Sequence, residues 1–169
     1  MGSQKSKISL ERAQSIAQTL FHDISEFCWK WYTVGSIRRQ KLEVNDVDIL
    51  IIPRKGGGMV ELAYWGKRLK DGNRVLSMGS TKMQFLYMGV QVDLYFATPE
   101  TWIPLLVIRT GSAEHNVKLC KRAKSLGMIL HADGRGIYTK EGSRLKTDTE
   151  EEFFNRLDMP YIRPEEREI

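Results

Sequence analysis

Two aspartates, Asp46 and Asp48, are the strongest candidates for a chemical role. They lie at the head of an apolar run that extends to Pro53. Side chains alternate across a strand, so two carboxylates with this spacing project from one face, with their Cα atoms roughly 7 Å apart. Oxygen ligands suit a hard divalent cation that keeps part of its coordination shell for phosphate and water. An isolated D-x-D is more often a turn aspartate beside one that faces solvent, so its interpretation depends on the surrounding chain.

A small-residue turn followed by two bases lies just upstream. Gly35 and Ser36 precede Arg38 and Arg39, and Asp46 comes ten residues after Ser36. Small residues let backbone N–H groups approach an anion, and a guanidinium group can also bind it. The segment therefore predicts a phosphate-binding turn beside a candidate metal site.

A third carboxylate follows in the stretch Q-V-D-L-Y-F-A, residues 91–97. In a strand, Val92 and Leu94 share one face, whereas Asp93 shares the other face with Gln91 and Tyr95. We therefore expect Asp93 to point toward a polar cleft while its neighbours enter the core.

The elements that must position these residues follow from periodicity. Ser9 caps a predicted helix that ends at Trp29, and its apolar positions recur every three or four residues. Glycine turns separate the later segments of the N-terminal half. The predicted segments are strands Trp31–Val34 and Val47–Ile52, a helix Met59–Lys70, and strands Arg74–Met78, Lys82–Met88 and Val90–Ala97.

The C-terminal part begins with a predicted helix, Pro99–Arg109, because proline is favoured in the first turn. Ser112 is expected to cap a second helix that ends at Gly127. Short strands with turns at Asp133-Gly134 and Glu141-Gly142 follow, and Thr147 to Glu150 predicts a capping box for a helix that reaches Leu157.

Composition narrows the function classes. The 169 residues can bury a core, and the net charge of +5 permits a polyanionic partner. Residues 112–146 carry eight Lys and Arg against three Asp and Glu, so they form either a nucleic-acid surface or an ordinary solvated helix face. The two cysteines lack metal-site spacing. We expect no signal peptide, no membrane span and a cytoplasmic or nucleoid-associated location.

The segment G-S-I-R-R followed by N-D-V-D-I-L-I resembles the palm of the family X DNA polymerases, whose usual form is G-S-x-R-R before a D-x-D strand. The segment T-G-S-A-E-H-N, residues 110–116, is similar to the nucleotide-facing helix of that family. The resemblance spans about residues 7–168. It implies an α+β fold, with a nucleotidyltransferase palm whose mixed or antiparallel sheet is flanked by helices in residues 1–97, and a small α/β C-terminal subdomain in residues 98–169.

The resemblance also implies a role for each matching position. The catalytic and metal-binding residues would be Asp46, Asp48 and Asp93, which would hold two Mg²⁺ ions about 4 Å apart, with Mn²⁺ as a substitute. The nucleotide would contact Lys7, Gly35, Ser36, Arg39, Asn45, Gly111, Ser112 and Asn116. DNA would contact Lys82, Lys118, Lys121 and Arg122. Ile108 and Arg109 stand where the family commonly has two aromatic residues that sense the sugar.

The function implied is template-directed DNA polymerisation on primer-template or gapped DNA by a monomer that uses dNTPs and, given Ile108 and Arg109, also rNTPs. No residues match the lyase and DNA-gripping modules of the family, which suggests a minimal form. Two alternatives stay open: a template-independent nucleotidyltransferase acting on RNA or protein, and a catalytically silent nucleic-acid-binding domain.

Overall fold

The N-terminal helix begins where the sequence predicts and ends earlier. In the computed structural model, which describes residues 7–168, helix α1 spans Leu10–Ile24. The Ser9 hydroxyl accepts a hydrogen bond from the Arg12 backbone N–H at 3.2 Å, which confirms the predicted cap. The predicted end at Trp29 is wrong: a 3-10 turn covers Ser25–Phe27 and strand β2 covers Cys28–Thr33. The C-W-K-W-Y-T run is rich in aromatic residues, which favour a strand.

The chain divides into two compact units between Phe96 and Ala97. The N-terminal residues that bear on the expected absence of a signal peptide, 1–6, lie outside the described part of the chain. Within residues 7–168, no helix has both the length and the apolar character needed to cross a bilayer.

The first unit is built on a five-stranded sheet. Besides α1 and β2, the elements of this unit are β1 (Ile8–Ser9), α2 (Gly35–Arg38), β3 (Glu43–Val44), β4 (Val47–Pro53), α3 (Gly58–Lys67), β5 (Arg74–Met78), β6 (Lys82–Tyr87) and β7 (Val90–Phe96). The order of strands in the five-stranded sheet is β2-β4-β7-β6-β5. Strands β4 and β7 pair in parallel and the other neighbours pair antiparallel, so the predicted mixed sheet is confirmed.

One face of this sheet forms the core of the first unit. Alternate residues of the three inner strands are fully buried together with apolar residues of α1, and these include Ile16, Leu20, Ile49, Ile51, Met83, Phe85, Val92 and Leu94. Since neighbouring residues in a strand point to opposite faces, the polar residues of the same strands lie on the opposite face. The predicted alternation around Asp93 is therefore confirmed.

The second unit has its own core. Its elements are α4 (Trp102–Thr110), α5 (Ala113–Ser125), β8 (Ile129–His131), β9 (Gly136–Tyr138), β10 (Arg144–Leu145), α6 (Glu150–Arg156) and a 3-10 turn, Pro164–Glu166. The three strands form an antiparallel sheet with the order β10-β9-β8. Its fully buried aromatic residues are Phe153 and Phe154 of α6.

Two predicted helix starts in this unit are displaced. Helix α4 begins at Trp102 because Thr98 and Thr101 form a turn closed by their own side chains, with the Thr98 N–H donating to the Thr101 hydroxyl at 2.9 Å. Helix α6 is capped by Thr149 and not by Thr147. The Thr149 hydroxyl accepts from the Glu152 N–H at 3.1 Å, whereas the Glu152 carboxylate accepts from the Asp148 N–H at 2.7 Å. Local hydroxyl partners thus shifted both boundaries.

Candidate active site

Two of the three predicted acids lie side by side on the polar face of the sheet. Strands β4 and β7 are parallel, and Asp48 is the register partner of Asp93. Residues in register on neighbouring strands point to the same face, with their backbones about 4.8 Å apart. Asp93 is buried, at 7% exposure, and Asp48 is half-buried. The sheet therefore presents two adjacent carboxylates.

Polar side chains surround the Asp93 carboxylate. The Gln84 amide donates to both of its oxygens, at 2.9 and 3.1 Å, and the Gln91 amide donates to Oδ1 at 2.8 Å. The Lys82 ammonium group lies 3.3 Å from Oδ2. Burial opposes ionisation, but the hydrogen bonds from Gln84 and Gln91 and the charge of Lys82 outweigh it, so the pKa of Asp93 lies below its ordinary value. Asp93 is therefore an anion at neutral pH.

Tyr95 links the two acids. Its hydroxyl lies 3.4 Å from Asp48 Oδ1 and 3.4 Å from Asp93 Oδ2. A tyrosine hydroxyl has one hydrogen, so it donates to one carboxylate at a time. Sequence reasoning placed Tyr95 on the Asp93 face but assigned no role to it, and the same is true of Gln91. The sequence did contain a signal for these two residues, because alternation along β7 places Gln91 and Tyr95 on the same face as Asp93.

The predicted phosphate turn closes directly onto Asp48. Gly35 begins the short helix α2 with a φ of +59°, and a Cβ atom built on Gly35 would lie 2.1 Å from Asp48 Oδ2. The Val34 N–H donates to the Asp48 carbonyl at 2.9 Å. Ser36 and Arg39 follow on the same helical turn, and the Arg39 N–H donates to the Gly35 carbonyl. The glycine therefore permits a close approach that any side chain would block.

Asp46 and Asn45 lie in the bend between β3 and β4, and Asp46 is half-buried. The two-stranded sheet that joins β1 to β3 brings the N-terminal segment beside this bend, with Ile8 opposite Val44. The Lys7 ammonium group consequently lies 3.3 Å from the exposed Glu43 carboxylate. Sequence reasoning missed both short strands, which are too brief to show a periodic pattern.

The acidic side chains of this face are candidate ligands of a divalent cation. Among the described residues, no three His, Cys, Asp or Glu side chains meet closely enough to hold a metal ion. Asp48 and Asp93 do present adjacent oxygen donors on one face, which is the donor chemistry that Mg²⁺ prefers. The pair therefore fits a hard cation.

The second unit contains the remaining predicted nucleotide contacts at the α4–α5 junction. The Ser112 hydroxyl accepts from the His115 N–H at 3.1 Å, which confirms it as the cap of α5. The Asn116 amide donates to the Ile108 carbonyl at 2.8 Å, and a Cβ atom on Gly111 would lie 2.7 Å from Asn116 Oδ1. Ile108 is buried, at 3% exposure, whereas Arg109 is half-buried. Asn116 thus joins the end of α4 to the start of α5.

The basic residues that are predicted to contact DNA differ in their exposure and in their protein contacts. Lys118 and Lys121 are exposed on α5. The Arg122 guanidinium donates to the Leu157 carbonyl at 2.9 Å and to the Asp158 carboxylate at 2.5 Å. Lys82 contacts Asp93, as described above. Two of the four cations are therefore already engaged by neighbouring protein groups.

Comparison with known proteins supports the resemblance that the sequence motifs indicate. Residues 105–168 match the family model described as the DNA polymerase beta thumb. The chain is 29% identical over 173 residues to the DNA polymerase/3'-5' exonuclease PolX of Bacillus subtilis (strain 168), which covers 99% of this chain and 30% of the relative. It is 28% identical over 162 residues to DNA polymerase lambda of Rattus norvegicus, which covers 79% of this chain and 28% of that protein. The chain therefore spans less than a third of the length of these curated relatives.

The fold is also similar to a solved structure, the ternary P/T complex of Leishmania infantum polymerase beta. The TM-score is 0.81 at 18% sequence identity, and the match covers 97% of this chain and 77% of the other. The second unit thus matches the polymerase beta thumb, and the fold as a whole is similar to that of polymerase beta. In sequence the chain is similar to family X DNA polymerases, at just under 30% identity.

Proposed function

We propose that this chain is a template-directed DNA polymerase that adds nucleotides to a primer 3′-hydroxyl, in gap filling or repair. The observation that carries the proposal is the register of Asp48 with Asp93 on parallel strands, in a chain similar to family X DNA polymerases. A pair of adjacent carboxylates is the feature that divalent-metal-dependent phosphoryl transfer requires.

We propose Asp46, Asp48 and Asp93 as the metal-binding carboxylates. Two divalent ions bound there, Mg²⁺ with Mn²⁺ as a substitute, would stabilise charge on the attacking and leaving oxygens. The chain's own residues prepare the site: Gln84, Gln91 and Lys82 keep Asp93 ionised, and the Tyr95 hydroxyl lies within reach of Asp48 and Asp93. In this proposal Asp93 lies closest to the primer hydroxyl, whose proton must leave.

The other predicted residues bind the substrates. The first unit would hold the triphosphate through Gly35, Ser36, Arg39, Asn45 and Lys7. Such contacts counter the charge that builds on the leaving pyrophosphate. In the second unit, Gly111, Ser112 and Asn116 would contact the nucleotide, and Ile108 and Arg109 would set sugar preference between dNTP and rNTP.

The exposed lysine residues of α5 would bind DNA. Lys118 and Lys121 are exposed and would contact phosphates, and each such contact would add salt-sensitive affinity. Lys82 and Arg122 would also bind phosphates. Lys82 would then give up its contact with Asp93, and Arg122 its contact with Asp158. We propose that the protein acts on primer-template or gapped DNA as a monomer.

Primer extension on open, gapped and unprimed DNA, with each dNTP and rNTP in turn, tests this function. The expected result is incorporation that follows the template base and requires Mg²⁺ or Mn²⁺. Addition without regard to the template would favour the template-independent nucleotidyltransferase. DNA binding with no incorporation on any substrate would favour a silent binding domain.

A further inference from the structure

The edge strand of the first sheet exposes two large aromatic side chains. Within residues 7–168, strand β2 pairs only with β4 and forms one edge of the five-stranded sheet. On this strand the side chains of Trp29 and Tyr32 are 67% and 48% exposed. The two exposed rings lie on one short strand, and exposed apolar surface that is grouped rather than scattered is a feature of binding sites. Neither residue belongs to the active site described above.

A surface pocket adjoins Trp29. Its volume is about 370 Å³, and its walls include the rings of Phe21, Trp29 and Trp31, the bases Lys30 and Arg54, and one acid, Glu26. The rings of Phe21 and Trp31 stack 4.0 Å apart, which fixes the inner wall while Trp29 remains exposed. The pocket therefore combines a rigid aromatic wall with a cationic rim.

The second aromatic residue is also paired with a cation. The Arg38 guanidinium lies 5.1 Å from the centre of the Tyr32 ring. Lys30 and Tyr32 lie opposite Ile52 and Leu50 of β4, so both project from the same face of the sheet. Tyr32 thus lies with Lys30 on one face of this edge, whereas the ring of Trp31 in the pocket wall lies on the other face.

The edge is poorly suited to pairing with another strand. The register slips between Cys28 and Lys30, so Trp29 occupies a β-bulge. The Arg54 guanidinium already donates to the Cys28 carbonyl at 3.2 Å, and the Arg54 N–H donates to the Phe27 carbonyl at 2.8 Å. Bulges and edge lysines are features that block strand addition. Recognition at this edge must therefore rely on side chains rather than on backbone pairing.

We propose that the edge formed by Trp29, Lys30, Tyr32, Arg38 and Arg54 binds single-stranded nucleic acid. Bases stack on the exposed rings of Trp29 and Tyr32, and the three cations lie near the phosphates. Combined stacking and backbone attraction is the general mode by which proteins bind single strands without reading their sequence. The inference goes beyond the polymerase function and does not depend on it, because this surface contains none of the proposed catalytic residues.

The test measures binding of a labelled oligothymidylate strand to the full chain by fluorescence anisotropy, in chelator so that the acid site plays no part. Trp29→Ala and Tyr32→Ala should each raise Kd by at least about fivefold, the lower end for loss of one stacked base. Lys30→Gln should lower the dependence of log Kd on log salt by about one. Because Trp29 and Tyr32 are exposed, their truncation should leave the thermal unfolding midpoint close to that of the parent protein.

Tyr64 provides a matched control. It is 58% exposed on α3, and the Lys67 ammonium group lies 5.6 Å from its ring, so it repeats an exposed aromatic–cation pair on another element. Tyr64→Ala should leave Kd unchanged. Equal losses in all three aromatic variants, or none in Trp29→Ala and Tyr32→Ala, would overturn the proposal. The proposal would also be overturned if Trp29→Ala lost binding to anionic vesicles but kept its binding to the single strand.

Asp93→Asn should abolish nucleotide incorporation without weakening single-strand binding. This variant therefore separates failure of this inference from failure of the proposed function.

Discussion

Asp48 and Asp93 are register partners on the parallel strands β4 and β7, and this relationship places two carboxylates on one face of the sheet. We expect Asp48→Asn and Asp93→Asn each to lower primer extension by at least about 100-fold, since metal stabilisation of the transition state is worth several kcal/mol. Both substitutions retain shape, so the circular dichroism spectrum should not change. Glu61→Gln, at an exposed acid of α3, is the control and should retain activity. Normal extension by either Asn variant would exclude that aspartate as a ligand.

Tyr95 gives a subtler test of the same site. Its hydroxyl lies 3.4 Å from a carboxylate oxygen of Asp48 and of Asp93, so both hydrogen bonds are long. Tyr95→Phe keeps the ring and removes the hydroxyl that lies between the two carboxylates. We expect Mn²⁺ affinity, measured by calorimetry, to fall by about tenfold, the low end for loss of an outer-shell partner. Tyr64→Phe on α3 should leave it unchanged, and an unaltered affinity in Tyr95→Phe would remove any positioning role.

Features set by neighbouring residues along the chain could be predicted from the sequence, whereas features set by tertiary pairing could not. Alternation along β7 placed Asp93, Gln91 and Tyr95 on one face, because side-chain direction in a strand is a local property. The same rule could not show that Asp93 would be opposite Asp48, since strand register is set by tertiary pairing. The end of α1 was overestimated because the apolar period continues into a segment that the sheet recruits as β2.

Gly35 tests how closely the phosphate turn must approach Asp48. We expect Gly35→Ala to cost more than the roughly 1–2 kcal/mol that a left-handed residue costs elsewhere, because its Cβ atom would collide with Asp48 Oδ2. Gly72→Ala is the matched control: its φ is +84°, and no atom lies within 4 Å of an added Cβ. Urea unfolding and primer extension should show a small loss of stability for Gly72→Ala with full activity. Equal stability losses in the two variants would show that Asp48 can move aside.

Asn116 is predicted to have two separable effects. Its side-chain amide donates to the Ile108 carbonyl at 2.8 Å, so Asn116→Ala should lower the free energy of unfolding by about 1–2 kcal/mol whether or not a nucleotide binds there. If Asn116 also contacts the incoming base, the variant should misincorporate more often at temperatures where it remains folded. Asn155→Ala, at an exposed position of α6, should change neither quantity. A stability loss with unchanged fidelity would assign Asn116 a structural role alone.

Arg167 is expected to be the residue on which the second unit depends most. Its side chain is fully buried and its guanidinium donates to Glu150 Oε1 at 2.8 Å and to the Ile162 carbonyl at 2.8 and 2.9 Å. Removing one partner of a buried ion pair leaves the other charge uncompensated, so Arg167→Ala should cost about 3–5 kcal/mol in urea unfolding. The exposed pair of Arg163 with Glu166 is the control.

Arg163→Ala should lower the free energy of unfolding far less than Arg167→Ala does, because solvent screens an exposed pair. The Arg167 carbonyl also accepts from the Ser112 N–H at 3.0 Å, so loss of the Arg167 anchor should loosen the start of α5. Hydrogen exchange at the first turn of α5 would detect this as faster exchange in Arg167→Ala than in Arg163→Ala. Similar unfolding free energies for the two variants would show that the buried pair contributes no more than the exposed one.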